Sequence, residues 1–296
     1  MDFRFTQDQK DLIDGAKAFF DSEITVERMR KMANGEQVTD LWPKFAALGL
    51  LGLMAPESAG GLEQPLVVMV GVAEAAGYAG LSEPYIEIAG ITVPHAKEDE
   101  LSGQIRLAVR SDLRPYIDAS LTETGEVVSS IDPLRKLVKA KGGNDEKIDS
   151  VNFHGTVLTA AQLIGLSKRM LDMSVDYARE RHQFGKPIGS FQAVKHQLAN
   201  VHTQIEFTRP IIHLAAMKGG VAVHNAKVAA IDTAMLAAET AIQVHGGMGY
   251  TFEVDLHLFM KRAWALCGEW GDRNYHMKKL EDYICLLYTS PSPRDS

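Results

Sequence analysis

The chain has 296 residues, a net charge of −7, 46% hydrophobic residues and two cysteines. That length can bury a substantial core, and the acidic balance without a basic run leaves no footprint for nucleic acid. Outside the extreme C-terminal segment only Cys267 remains, which rules out an internal disulfide framework, and no apolar run spans a bilayer. With MDFRFTQDQK lacking the shape of a signal peptide, a cytoplasmic protein is expected.

From Phe5 to about Ala89 apolar residues recur at helical spacing: Leu12, Ala16, Phe19 and Phe20 in one segment, then Leu41, Phe45, Leu48 and Leu51 in another. Thr6 and Thr39 stand where N-caps belong. PESAGGLEQP reads as a loop, after which LVVMVGVAEAAGYAG resumes a helix rich in small residues. Residues 1–92 are therefore expected to form an N-terminal helical domain.

The pattern changes over 93–152. QIRLAVR, PYIDAS, GEVVSSI and RKLVKA are short, β-branched and divided by turns, as strands of a small middle β-domain would be. Helices return over 153–284. The first runs to about Arg181, and a second spans Phe191 to Lys218 with a kink or break expected at Pro210. A third carries Ala226, Ala230, Ala237 and Ala241 on a small-residue face, and a fourth begins near Asp255. Short connections between long helices imply an antiparallel four-helix bundle, so the fold class expected is mostly α with a small middle β-domain. CLLYTSPSPRDS, residues 285–296, departs from this pattern and resembles the conceptual translation of a sequencing adapter; it is set aside from fold reasoning. The scattered histidines form no metal-ligand pair, so no metal is expected.

Between the first two bundle helices lies RERHQFGKPIGSFQ, an unusual connector. Arg181 at a helix end offers a guanidinium fork beside the open N–H groups of the next helix, which suits phosphate oxygens. Phe184 and Gln192 offer a ring face and an amide for a purine. The same residues also fit a plainer account, with Arg181 as a helix C-cap and Phe184 as a core plug. AIQVHGGMGY ends the third helix with Gly246 and Gly247, which permit either a simple cap or the close approach of a ligand.

Together these residues carry a resemblance. Tyr177-x3-Arg181-x-Gln183-Phe184-Gly185-x-Pro187 with Phe191-Gln192, followed by Gln243-x2-Gly246-Gly247-x-Gly249-Tyr250, resembles the FAD-dependent acyl-CoA dehydrogenase family, and LWPKFAALGLLGLMAPESAGGL is similar to its N-terminal signature. The resemblance implies an N-terminal helical domain, a middle β-domain and a C-terminal four-helix bundle. It also implies that Arg181 and Gln192 reach the FAD of a neighbouring subunit while Gln243, Gly246 and Gly247 contact its pyrophosphate. The implied reaction is α,β-desaturation of an acyl-CoA thioester: a carboxylate takes the α-proton, a hydride leaves the β-carbon for the flavin, and a flavoprotein acceptor collects the electrons.

The catalytic position departs from the family. The segment that should hold the base reads CGEWGD, and ungapped alignment puts Trp270 in the glutamate slot, with Glu269 beside it and pointing elsewhere. The family's alternative base position falls on HGT, residues 154–156, again without a carboxylate. The middle-domain flavin motifs have no counterpart between Ser82 and Asn152. Three hypotheses follow. In the first, the chain is a partner subunit completing the FAD site of a catalytic acyl-CoA dehydrogenase subunit. The second is a self-sufficient homo-oligomer with Glu269 as base, and the third a non-enzymatic scaffold.

Overall fold

The computed structural model describes residues 5–95, 107–109, 115–117, 124–135, 137–140 and 149–289. Its N-terminal helices are α1 (Gln7–Glu23), α2 (Val26–Ala33), α3 (Trp42–Ala47) and α4 (Leu66–Ala79), followed by a π-helical segment, Glu87–Thr92. Thr6 caps α1 in a reciprocal capping box with Gln9. Thr39 does not cap α3 as the sequence suggests: Leu41 holds the cap position, and the Asp40 carboxylate accepts from the Trp42 N–H at 3.0 Å. Asp40 is one residue nearer the free donor and offers a charged acceptor. Thr25 is an N-cap instead, for α2.

Phe20, Phe45 and Tyr85 are fully buried and packed on one another, with Phe45 and Tyr85 stacked at 4.8 Å. Each such side chain contributes about 1.5–3 kcal/mol by leaving water. The Tyr85 hydroxyl is satisfied by donating to the Leu50 carbonyl at 3.0 Å.

Four short strands, β1 (Leu107–Val109), β2 (Pro115–Ile117), β3 (Thr124–Val128) and β4 (Leu137–Ala140), form one sheet in the order β2-β1-β4-β3. β1 and β4 are parallel and the other pairs antiparallel. Three fall within the segments expected from sequence, and β3 begins one residue before its segment, at Thr124.

The bundle comprises α5 (Asp149–Glu180), α6 (Gln192–Lys218), α7 (Val221–His245), α8 (Leu256–Cys267) and α9 (Arg273–Thr289). α6 is unbroken across Pro210, although proline has no N–H to offer the Glu206 carbonyl. Close approach of α4 to α5 depends on missing side chains: a Cβ on Gly77 would overlap the Gln162 backbone, and one on Gly165 the Glu74 carbonyl. A single apolar core therefore runs from α1 through α4 and α5 to α8. α9 continues to Thr289, into the segment set aside on composition. Among the described residues no helix is long and apolar enough to cross a membrane, and no group of three or more His, Cys, Asp or Glu is placed to hold a metal ion.

Candidate functional site

At the C-terminal end of α5 the chain makes a hairpin that the sequence did not reveal. Strands β5 (His182–Gln183) and β6 (Lys186–Pro187) pair antiparallel, and both turn residues, Phe184 and Gly185, have positive φ (53° and 77°). Such a two-residue turn matches the twist of its strands. Phe184 pays no part in the core; it is 91% exposed, its edge toward Phe191. Arg181 is fixed through its backbone, donating to the Tyr177 carbonyl and accepting from Ile188 N–H, both at 2.8 Å. Its exposed guanidinium has no partner among the described residues.

The second corner closes on the first. α7 ends at His245, whose ring stacks on Tyr177 at 4.4 Å and whose Nδ1 donates to the Ala241 carbonyl. Burial holds this imidazole below its usual pKa, favouring the neutral, stacking form. Tyr177, Arg181, Gln183, His245, Gly246 and Gly247 thereby line one cleft of about 410 Å³. Gly246 has φ +59°, and a Cβ at either Gly246 or Gly247 would meet nothing within 4 Å. Packing within the chain does not require these missing side chains, so the space above them is available to a ligand. A backbone that can be approached this closely, beside an unpaired guanidinium, fits the phosphates of FAD. Phe184, Gln192 and Gln243 are exposed around this corner and are not among the cleft's lining residues. Tyr177 and His245 were not singled out from sequence as site residues; the only signal was Tyr177 one helical turn before Arg181.

At the other end of α5, the two family base positions meet. Trp270 is buried with φ +57°, and a Cβ on Gly155 would overlap its indole. Indole therefore occupies the space where the HGT segment faces the glutamate slot. Glu269 turns away to an ion pair with Arg135 at 2.5 Å, and Arg135 also contacts the buried Glu87. Burial raises the Glu269 carboxyl pKa, with Arg135 opposing. The turn is secured from beneath by Lys227, fully buried, whose ammonium donates to the carbonyls of Leu266 (2.9 Å) and Glu269 (2.8 Å). Burial lowers the Lys227 pKa to about 8.

Comparison with known proteins agrees with this architecture. Residues 6–93 match the model for the acyl-CoA dehydrogenase N-terminal domain, and residues 153–279 that for the C-terminal domain. Acyl-CoA dehydrogenase IpdE2 of Mycobacterium tuberculosis is 35% identical over 147 residues, 47% of this chain and 45% of that protein. FadE34 of the same organism is 39% identical over 133 residues, covering 42% and 19%. The matches thus span less than half the length of these curated relatives. Among solved structures, a chain of the ChsE4-ChsE5 complex from Mycobacterium tuberculosis superposes with TM-score 0.79 at 22% identity, over 99% of this chain and 100% of that one. Butyryl-CoA dehydrogenase from Megasphaera elsdenii gives 0.75 at 18%, over 96% and 100%. Two family models in their expected order, joined to this fold, establish that the chain belongs to the acyl-CoA dehydrogenase family of FAD-dependent oxidoreductases.

Proposed function

We propose that this chain is the non-basic subunit of a mixed acyl-CoA dehydrogenase, lending Arg181, Gly246 and Gly247 to an FAD whose ring lies on a catalytic partner. Gln192, Gln243 and Phe184 are its flanking contacts, reaching the flavin from the exposed surface around the cleft. Bound FAD supplies the hydride acceptor for α,β-desaturation of an acyl-CoA thioester. The carrying observation is the separation of the two ends of α5. Gly155, against Trp270, and Glu180, next to Arg181, lie roughly 37 Å apart at 1.5 Å per residue. One dinucleotide does not bridge that distance. This separation supports a flavin that is gripped at the Arg181 corner and presents its ring to a different polypeptide, and the indole at Gly155, where the resemblance implies a carboxylate, supports a catalytic partner.

The domain division at 1–92, 93–152 and 153–284 belongs to the same proposal. An exposed Phe184, together with Tyr250 (80% exposed) and Phe252 (73% exposed), is consistent with a surface covered by another subunit. That the ChsE4-ChsE5 structure is of a two-component complex supports the mixed assembly. The self-sufficient alternative needs Glu269 as base, yet its carboxylate is committed to Arg135.

Purification of the chain alone and with a carboxylate-bearing family partner tests the proposal. Stoichiometric FAD and turnover are expected only with the partner, and Arg181→Ala should lower flavin retention in the complex. Desaturation by the chain alone, abolished by Glu269→Gln, would replace the proposal with the self-sufficient enzyme. Unchanged flavin affinity in the Arg181→Ala complex would leave only a scaffold.

A further inference from the structure

One face of α1 carries Lys10, Asp14, Lys17 and Asp21, spaced four, three and four residues apart, so charges of alternating sign run in a single row along the helix. All four are exposed, and all four line a cleft of about 540 Å³ whose far wall is α5 and α6. The spacing suits ion pairs within a helix. Pairs of the same kind, a lysine with an aspartate four residues later, close elsewhere in the chain: Lys168–Asp172 at 2.5 Å and Lys278–Asp282 at 3.4 Å. In the α1 row none closes, and none of the four side chains is hydrogen-bonded to or ion-paired with a described residue.

The far wall of the cleft does not answer the row either. Lys168 is paired with Asp172, which also accepts from the Tyr78 hydroxyl at 3.0 Å, and Arg209 is held by Glu74 and Glu206 at 2.8 and 2.7 Å. Those charges are satisfied within the chain, which leaves the α1 row to be matched from outside.

A surface matches a row of alternating sign when it carries the reversed row in register, and a two-fold axis supplies one. Let a second α1 lie antiparallel to the first about the point midway between Gly15 and Ala16. Lys10 then stands opposite Asp21 of the second copy and Asp14 opposite its Lys17, and both pairs recur with the copies exchanged. The heights agree: at 1.5 Å per residue Asp14 and Lys17 each lie about 2 Å from that midpoint, and Lys10 and Asp21 each about 8 Å. All four contacts join opposite charges, the self-complementarity that an isologous interface requires. Small residues keep the middle of the face low: Ala18 is exposed beside the row, and a Cβ on Gly15 would meet nothing within 4 Å.

We propose that this face of α1 is a docking surface for a second copy of the chain, the two helices antiparallel across a two-fold axis and joined by four ion pairs. The inference rests on neither the flavin nor the missing base.

Sedimentation velocity on the full chain at low and at high ionic strength provides the test. Self-association that weakens as salt is added is expected, because exposed ion pairs are screened. Asp14→Lys sets lysine against lysine at both central contacts, and Lys17→Asp sets aspartate against aspartate. Each variant alone should self-associate about tenfold more weakly, the effect of two attractions turned into repulsions. Mixed in equal amounts, the two variants present opposite charges to one another and should associate as tightly as the unmodified chain. The double substitution, Asp14→Lys with Lys17→Asp, should recover self-association. Both positions are exposed, so all these chains should unfold at the same denaturant midpoint. A monomeric unmodified chain at low ionic strength, single variants that self-associate as the unmodified chain does, or a mixture no tighter than either variant alone would each overturn the inference.

Discussion

Replacing Lys227 by Met should change how stability depends on pH. The folded Lys227 pKa of about 8 lies below the ordinary 10.5, so between those values the unfolded chain holds more protons than the folded one. Stability therefore rises with pH through this window. At 1.36 kcal/mol per pKa unit, the rise is about 3 kcal/mol. Lys227→Met lacks this rise. At neutral pH the substitution removes the burial of a charge but leaves the Leu266 and Glu269 carbonyls without a donor, a cost of about 1–3 kcal/mol each. The two effects are of similar size, so the variants should differ little at pH 7 and diverge by about 3 kcal/mol near pH 10.5. Cys267 works in the opposite direction, because burial raises its pKa to about 11 and stability is lost above the ordinary thiol range. That contribution is common to both proteins and largely cancels in their difference. Urea unfolding followed by tryptophan fluorescence across this range gives the comparison directly. A difference that stays flat within about 0.5 kcal/mol would refute a buried ammonium beneath the Trp270 turn.

At acid pH, His276 should dominate a separate limb: folded, it takes a proton only near pH 4, whereas the unfolded imidazole does so near 6.5. Stability should fall by up to about 3 kcal/mol as pH drops through that interval, and His276→Gln should flatten the acid limb in denaturant titrations. Gly155→Ala drives a methyl into the Trp270 indole and should cost about 1–3 kcal/mol; adding Trp270→Leu should recover part of it, whereas simple additivity in the double-mutant cycle would deny the contact. Phe184→Ser, at a position 91% exposed, should leave the stability of the isolated chain within about 0.5 kcal/mol while weakening flavin retention in the proposed complex.

Much of the fold was legible because long helices repeat their apolar residues many times. α5 and α7 each display several turns of the pattern, and the four strand segments are bounded by turn chemistry. The offset expected between Glu269 and Trp270 is a helical one, whereas both lie in the turn after α8, where Trp270 has φ +57°. What stayed hidden rests on single or distant contacts. The His182–Pro187 hairpin has strands too short to show periodicity. Stacking of Tyr177 on His245 joins residues far apart in sequence, and Lys227, in an alanine-rich helix, looks like any solvated lysine until α8 and its exit turn close over it. Thr39 failed as a cap because a neighbouring carboxylate was better placed.

The length of α5 has an evolutionary consequence. Substitutions well beyond about 10 Å apart tend to act independently, so a stiff rod lets one tip drift without disturbing the other. On the proposed reading, substitutions at the indole-filled tip would leave the Arg181 corner undisturbed, and a duplicated gene could divide the labour without rebuilding its scaffold.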